Sequence, residues 1–93
     1  LGAQVIEHGT DFQAAREHAA TLAQRDQLHY VASFHADLVR GVATYWAELF
    51  RAVPDLDVVY VPIGQGSGIN ACAAARNALS PRTRIVGVVS AHA

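Results

Sequence analysis

The sequence predicts an α/β fold in which four parallel strands alternate with three helices in a three-layer αβα arrangement. Three observations lead to this prediction: short apolar runs bounded by turn residues, apolar positions at helical spacing between those runs, and a glycine-rich loop that joins one run to an alanine-rich segment. Right-handed crossovers then place the helices on the faces of the sheet and the glycine loop at the carboxyl end of its strand.

The first half of the chain is predicted to contain two strand–helix units. A strand over residues 4–7 precedes a turn, and Thr10 or Asp11 caps a helix that runs to about residue 26. A second strand covers residues 28–32. After a turn, a helix with a broad apolar face covers residues 38–52 and ends before Pro54.

The second half of the chain repeats this order. Residues 57–63 form a nearly continuous apolar run, which is typical of a strand buried on both faces of a parallel sheet. The glycine loop follows, then a helix over residues 69–79 that ends at Ser80-Pro81, then a last strand over residues 84–89.

Composition narrows the class of protein. The chain has 93 residues, 52% of them hydrophobic and 16% charged, with a net charge of −1. This balance indicates a globular chain and argues against disorder, nucleic-acid binding and attachment to anionic membranes. A single cysteine and the lack of a signal-like or long apolar segment predict a reducing cytoplasm. Because no methionine starts the chain, we expect it to be an internal fragment of a longer protein.

The segment Gly64-Gln65-Gly66-Ser67-Gly68 has the pattern of an anion cradle. Glycines permit close backbone approach, so that N–H groups can converge on a phosphate at the positive end of the following helix. A tight turn without a ligand stays possible, and Gly66-x-Gly68-x-x-Ala71 also fits a dinucleotide fingerprint. That fingerprint wants an acidic residue about 20 positions later, whereas Asp57 is the last carboxylate side chain. A P-loop is excluded because its lysine is absent.

Several short motifs, in this order and spacing, resemble the serine/threonine dehydratase family of pyridoxal-phosphate enzymes, which have the tryptophan-synthase-β type fold (fold type II). They are Gly2-Ala3-Gln4-Val5, His8-Gly9, Asp11-Phe12, Ser33-Phe34, Gly41-Val42-Ala43-Thr44, Glu48-Leu49 and the glycine loop. The Gly-x-Gly-Ser-Gly form of the loop is similar to that of the dehydratase branch linked to hydroxyectoine use.

This resemblance implies pyridoxal 5'-phosphate as the cofactor. It implies that Gly64, Gln65, Gly66, Ser67 and Gly68 wrap the cofactor phosphate, mainly through backbone N–H groups. Residues 1–34 would be the second part of a small domain, and residues 35–93 part of a large cofactor-binding domain. His35 would then lie near the hinge and the active-site mouth, in reach of the substrate.

The resemblance also implies a reaction. The parent enzyme would be an ammonia-lyase that deaminates a small hydroxy amino acid by β-elimination, giving an oxoacid and ammonia, and it would form a dimer or tetramer. The family's chemistry needs a lysine, and all seven basic residues here are arginine. We therefore expect the 93 residues alone to be catalytically inactive, so the alternative for this chain is a free-standing α/β module that binds phosphate or a nucleotide.

The remaining residues of interest are expected to have structural roles. Many relatives have Gly-Val-Glu where this chain has Gly87-Val88-Val89, and valine offers no oxygen ligand from its side chain, so we predict no metal there. His8, His18 and His29 show no metal-binding spacing and are expected to be structural. Cys72 and Trp46 are interpreted as packing residues.

Overall fold

A computed structural model of the chain describes residues 1–92 and confirms the α/β class. Its elements are α1 (Phe12–Arg25), α2 (Ala36–Ala52), β1 (Val58–Pro62), α3 (Ser67–Leu79) and β2 (Arg84–Val88). The chain divides into an N-terminal unit, Leu1–Ala32, and a C-terminal unit that begins at Ser33. In the part that the structure describes, none of the helices has both the length and the apolar character needed to cross a bilayer.

The N-terminal unit is built around α1. Asp11 is its N-cap, and the Asp11 carboxylate accepts a hydrogen bond from the Ala14 backbone N–H at 2.8 Å. Such a cap satisfies one of the N–H groups that a helix leaves unpaired at its start. The predicted helix over residues 11–26 is therefore confirmed to within one residue at each end.

The prediction of two strands in the N-terminal unit is wrong, because no strand is formed within residues 1–32. Gln4, Ile6 and His8 line a cavity of about 360 Å³ together with residues 28–31 and part of α1. Because a strand is defined by ladder hydrogen bonds to a neighbour, an apolar segment without one is only an irregular segment. Val5 and Val31 accordingly stay exposed.

The C-terminal unit contains the sheet. Strands β1 and β2 pair in parallel, from Val58 opposite Arg84 to Pro62 opposite Val88, and α3 is the connection between them. Helix α3 contacts both strands and packs against α2. The predicted helices and strands of this half are confirmed to within two residues at their ends.

The core of the C-terminal unit lies between the helices and one face of the sheet. Its buried side chains come from α2, β1 and α3: Trp46, Phe50, Val59, Val61, Ala71, Cys72 and Ala75. The buried residues of α3 are small, which allows this helix to pack closely against α2 and the sheet.

The opposite face of β1 is open in the described residues, since Tyr60 is 65% exposed. The prediction that β1 is buried on both faces is thus wrong for residues 33–92, and the helices described there cover one face of the sheet.

A buried polar cluster joins the segments that precede the two strands. The Thr83 hydroxyl donates to the Leu56 carbonyl at 2.7 Å and accepts from the Ser80 hydroxyl at 2.6 Å. Both side chains are buried, so these bonds offset the free-energy cost of removing their hydroxyls from water. The amino ends of β1 and β2 are therefore fixed to each other, at the end of the sheet opposite the glycine loop.

Candidate functional site

The glycine loop begins where the sheet ends. Ile63 donates its backbone N–H to the Val88 carbonyl at 2.9 Å, which continues the hydrogen bonding of the two strands by one residue. Residues 64–66 then bend the chain into α3, which starts at Ser67. The predicted position of the loop, at the carboxyl end of a parallel strand and before a helix, is confirmed.

Gly66 is the N-cap of α3 and has the left-handed backbone conformation, with φ of +100°. A side chain at this φ is strained, by about 1–2 kcal/mol for an L-residue. Within residues 1–92 it is the one loop glycine with a positive φ, so Gly64 and Gly68 are not required on that ground.

The first turn of α3 presents backbone donors. A glycine N-cap supplies no side-chain oxygen, and no side-chain cap bond is made in this part of the described chain. By helix geometry, the N–H groups of Ser67, Gly68 and Ile69 have no partner in their own helix. These donors and the positive end of the helix dipole favour an anion.

The rest of the loop is compatible with a phosphate. Neither Gln65 nor Ser67 has a positive φ, so a side chain at each of these positions causes no backbone strain. A Cβ added to Gly64 would meet nothing within 4 Å, which leaves open space beside the loop. Asn70 stabilises the turn, because its side-chain amide and backbone N–H both donate to the Gly66 carbonyl, at 2.8 and 3.1 Å. The residues present therefore fit a bound phosphate group.

Trp46 reaches the loop from α2, a contact that the sequence did not predict. Its indole Nε1–H donates to the Gly68 carbonyl at 3.0 Å, and the side chain is buried at 7% exposure. The neighbouring Tyr45 hydroxyl lies 3.9 Å from where a Cβ on Gly68 would be. The expectation that Trp46 is a core residue is correct, but its polar atom has a second role that periodicity does not reveal.

Gly87 supports the start of the loop from the adjacent strand. A Cβ at this position would lie 2.6 Å from Cδ1 of Ile63 and 3.1 Å from Cδ1 of Ile69. Because real Cβ atoms do not approach so closely, a glycine here lets the two isoleucines on either side of the loop pack over β2. This requirement could have been suspected only from the register of the strands.

His35 is placed as a helix cap. It is the N-cap of α2, and its Nδ1 accepts the Asp37 backbone N–H at 3.1 Å. Its side chain is largely exposed. The expectation that it lies near the substrate stays a prediction, and the structure adds a cap role that sequence reasoning missed because histidine is an uncommon N-cap.

The other singled-out residues contribute no reactive group at the loop. Cys72 is buried in α3, and burial raises the pKa of its thiol while nearby Arg76 partly opposes that shift. A thiol with a raised pKa is a poor nucleophile at neutral pH, which agrees with a packing role. His8 and His18 stack in the N-terminal unit with ring centroids 3.8 Å apart.

The rest of the described structure offers no metal site and one larger cavity away from the loop. In residues 1–92 there is no group of three or more histidine, cysteine or acidic side chains arranged to hold a metal ion. A cavity of about 550 Å³ is lined by residues 54–57 and 79–82, which precede the two strands. It therefore lies at the amino ends of the strands, whereas ligands of open α/β sheets bind at the carboxyl ends.

Comparison with known proteins gives consistent results. A family model described as pyridoxal-phosphate dependent enzyme matches residues 1–93. Threonine dehydratase from Nicotiana attenuata is 37% identical over 89 residues, which cover 95% of this chain and 15% of that protein. L-threonine ammonia-lyase from Thermotoga maritima is 33% identical over 89 residues, covering 95% of this chain and 22% of that protein.

A solved structure shows the same fold. The processed form of threonine deaminase isoform 2 from Solanum lycopersicum superimposes with a TM-score of 0.85 at 31% identity, over 95% of this chain and 24% of that one. The chain thus spans less than a quarter of the length of each of these three relatives. Since the family model matches the entire sequence, the chain belongs to the family of pyridoxal-phosphate-dependent enzymes, whose cofactor is pyridoxal 5'-phosphate.

Proposed function

We propose that this chain supplies the phosphate-binding loop of a dehydratase that deaminates threonine or serine to an oxoacid and ammonia. The observation that carries the proposal is the N-terminus of α3, which has a glycine N-cap without a side-chain hydrogen bond and lies at the carboxyl end of β1. Threonine dehydratases match this chain almost end to end. Gly64, Gln65, Gly66, Ser67 and Gly68 are the residues proposed to hold the cofactor phosphate.

The loop's contribution is binding and orientation. A phosphate dianion held by several backbone N–H donors fixes the cofactor in position without any side-chain charge. When bound, pyridoxal phosphate supplies the electron sink that this class of reaction needs. The Ser67 hydroxyl, in the first turn of α3, offers one further donor.

The lack of lysine limits what these residues do alone. No side-chain amine is available to anchor the cofactor covalently. We infer that residues 1–93 alone bind the phosphate group but do not turn over substrate. The lack of lysine also favours the alternative, a phosphate- or nucleotide-binding module without catalysis.

Other parts of the proposal concern the larger protein. Residues 1–34 are assigned to the small domain and residues 35–93 to the large one; the boundary between the two compact units, after Ala32, lies two residues earlier. We further propose that His35 is near the substrate, that no metal binds at Val89, that the enzyme is a cytoplasmic homo-oligomer, and that nucleic acid and membrane are not its partners.

The proposal is tested by comparing pyridoxal 5'-phosphate with pyridoxal, which lacks the phosphate, as ligands of the protein in its full-length form. We expect pyridoxal phosphate to bind at least tenfold more tightly, and inorganic phosphate to compete with it. Gly66→Ala should remove most of that difference, because strain at φ of +100° changes the loop that holds the donors. Equilibrium dialysis with absorbance detection measures both affinities.

Gly41→Ala is the matched control, since a Cβ there would meet nothing within 4 Å and the residue lies in α2. It should leave both affinities unchanged. Release of ammonia from threonine or serine then tests the reaction itself. Equal affinity for the two ligands would overturn the phosphate loop, whereas tight phosphate binding with no ammonia release from either amino acid would favour the non-catalytic module.

A further inference from the structure

We propose that Trp46 is a positioning residue for the phosphate-binding turn, acting through its hydrogen bond to the Gly68 carbonyl. This inference rests on the proposed function, because it assigns Trp46 a role toward the same phosphate. The indole nitrogen and the carbonyl oxygen are 3.0 Å apart, and the two residues are 22 positions apart in the sequence.

The geometry of the peptide bond explains how this contact acts on the donors. The carbonyl of Gly68 and the N–H of Ile69 belong to one planar peptide group and point in opposite directions. In a helix the carbonyl points toward the C-terminus and the N–H toward the N-terminus. An indole that fixes the orientation of the Gly68 carbonyl therefore fixes the direction of the Ile69 N–H, one of the free donors of the first turn of α3.

The turn has a reason to need such a contact. Gly68 lies in the first turn of α3, and glycine inside a helix is less favourable than alanine by about 0.5–1 kcal/mol because its backbone loses more conformational freedom on folding. Donors on a mobile turn bind an anion less well, since ordering them on binding has an entropic cost. A hydrogen bond to the carbonyl also polarises the peptide group, which strengthens the N–H as a donor.

Trp46 is itself held firmly enough to act in this way. Its side chain is buried, and its ring lies 4.8 Å from that of Tyr45 and 6.2 Å from that of Phe50, measured between centroids. Tyr45 approaches Gly68 through its hydroxyl, 3.9 Å from the place of a Cβ. Both aromatic residues thus lie near the same glycine, but of the two only Trp46 donates a hydrogen bond to it in the described structure.

The test replaces the donor while it keeps the shape of the side chain. In the full-length protein, position 46 receives either benzothienylalanine, in which sulfur replaces the indole N–H, or 5-fluorotryptophan, which retains the N–H. We expect the sulfur analogue to weaken binding of pyridoxal 5'-phosphate about 3- to 10-fold, the effect of losing one hydrogen bond. The affinity for pyridoxal should not change, and 5-fluorotryptophan should restore the affinity for the phosphate ester.

The ratio of the two affinities separates positioning from folding, because general destabilisation lowers both. Trp46→Phe is the second variant, should the analogue fold poorly, and Tyr60→Phe, which removes a hydroxyl from an exposed side chain of β1, is the control that should leave the ratio unchanged. If the unaltered protein prefers pyridoxal phosphate and the sulfur analogue keeps the full preference, Trp46 does not position the loop. If the unaltered protein shows no preference at all, the proposed function itself fails.

Discussion

The two compact units of the chain have similar sequence patterns and very different interiors. Each has apolar runs beside a helix with apolar positions at helical spacing. Residues 33–92 bury seven hydrophobic side chains around Phe50 and Val61, whereas none of residues 1–32 is buried. The difference follows from strand pairing, since β1 and β2 pair with each other and residues 4–7 and 28–32 do not.

This contrast teaches that local pattern and burial are separate properties. A periodic apolar pattern states which side of an element prefers the core, but the core exists only where the facing elements are present. In the C-terminal unit, consecutive strands in the sequence are neighbours in the sheet. In the N-terminal unit, the equivalent segments share a cavity and leave Val5 and Val31 exposed.

Replacing a matched pair of phenylalanines tests the contrast most strongly. Phe50 is 3% exposed and Phe12 is 59% exposed. We expect Phe50→Ala to lower the free energy of unfolding by about 3–5 kcal/mol, because it removes a large buried ring and leaves a cavity. Phe12→Ala should lower it by less than about 1 kcal/mol. Urea denaturation measures both, and equal losses would show that Phe12 is buried in solution.

The reactivity of Cys72 tests the same contrast chemically. It is the single cysteine of the chain, it is buried, and burial raises the pKa of its thiol, so that less thiolate is present at neutral pH than for a free cysteine. We expect a disulfide reagent to modify it at least about 100-fold more slowly than a cysteine-containing peptide, because reaction requires local opening. In urea the two rates should become equal.

A cysteine placed in the N-terminal unit provides the control. In the variant Cys72→Ala with Ala20→Cys, the thiol is in α1 at an exposed position. It should react within a few fold of the peptide rate. Fast modification of Cys72 in the native protein would mean that the core of the C-terminal unit opens easily, and the contrast between the units would then disappear.

The helices and strands of the two units were not equally predictable from sequence. All three helices, and both strands of the C-terminal unit, were predicted to within two residues because caps, proline and periodicity are local signals. The two strands of the N-terminal unit were predicted wrongly because pairing is a property of the neighbour and not of the segment. For the same reason, the exposed face of β1 could not be predicted from its apolar run.

The candidate site was predictable in position but not in detail. The motif placed the loop between β1 and α3, while only the backbone shows that Gly66 alone has a positive φ there. The bond from Trp46 to Gly68 depends on how α2 packs on α3, which a spacing of 22 residues does not encode. The resemblance of the wider chain, rather than the loop alone, distinguished a pyridoxal-phosphate enzyme from a simple turn.

Close packing at the carboxyl edge of the sheet gives a third, smaller test. Gly87→Ala would place a methyl group 2.6 Å from Cδ1 of Ile63. We expect a loss of about 1–3 kcal/mol in the free energy of unfolding, typical of overpacking. Ile63→Val removes Cδ1, so the double variant should lose less than the sum of the two single losses. Additive losses in urea denaturation would show that the two side chains do not meet.

The N-caps of α1 and α2, Asp11 and His35, give the smallest expected loss of stability and the most direct comparison of the two units. Asp11→Ala removes the carboxylate that accepts from Ala14 N–H, and His35→Ala removes the ring nitrogen that accepts from Asp37 N–H. Each loss should be about 1 kcal/mol or less for these exposed caps. Asp11→Ser and His35→Ser, which restore a cap oxygen, are the controls, and circular dichroism with urea denaturation is the measurement.

The two cap substitutions should differ in how they change the unfolding transition more than in the free energy that they remove. Because α2 belongs to the core, removing its cap should shift the cooperative unfolding of the C-terminal unit. Because α1 has no buried residue, removing its cap should reduce helix signal before that transition and leave the midpoint nearly unchanged. A shift of the same cooperative midpoint by Asp11→Ala would show that α1 unfolds together with the C-terminal unit, and the two units would then have to be treated as one in solution.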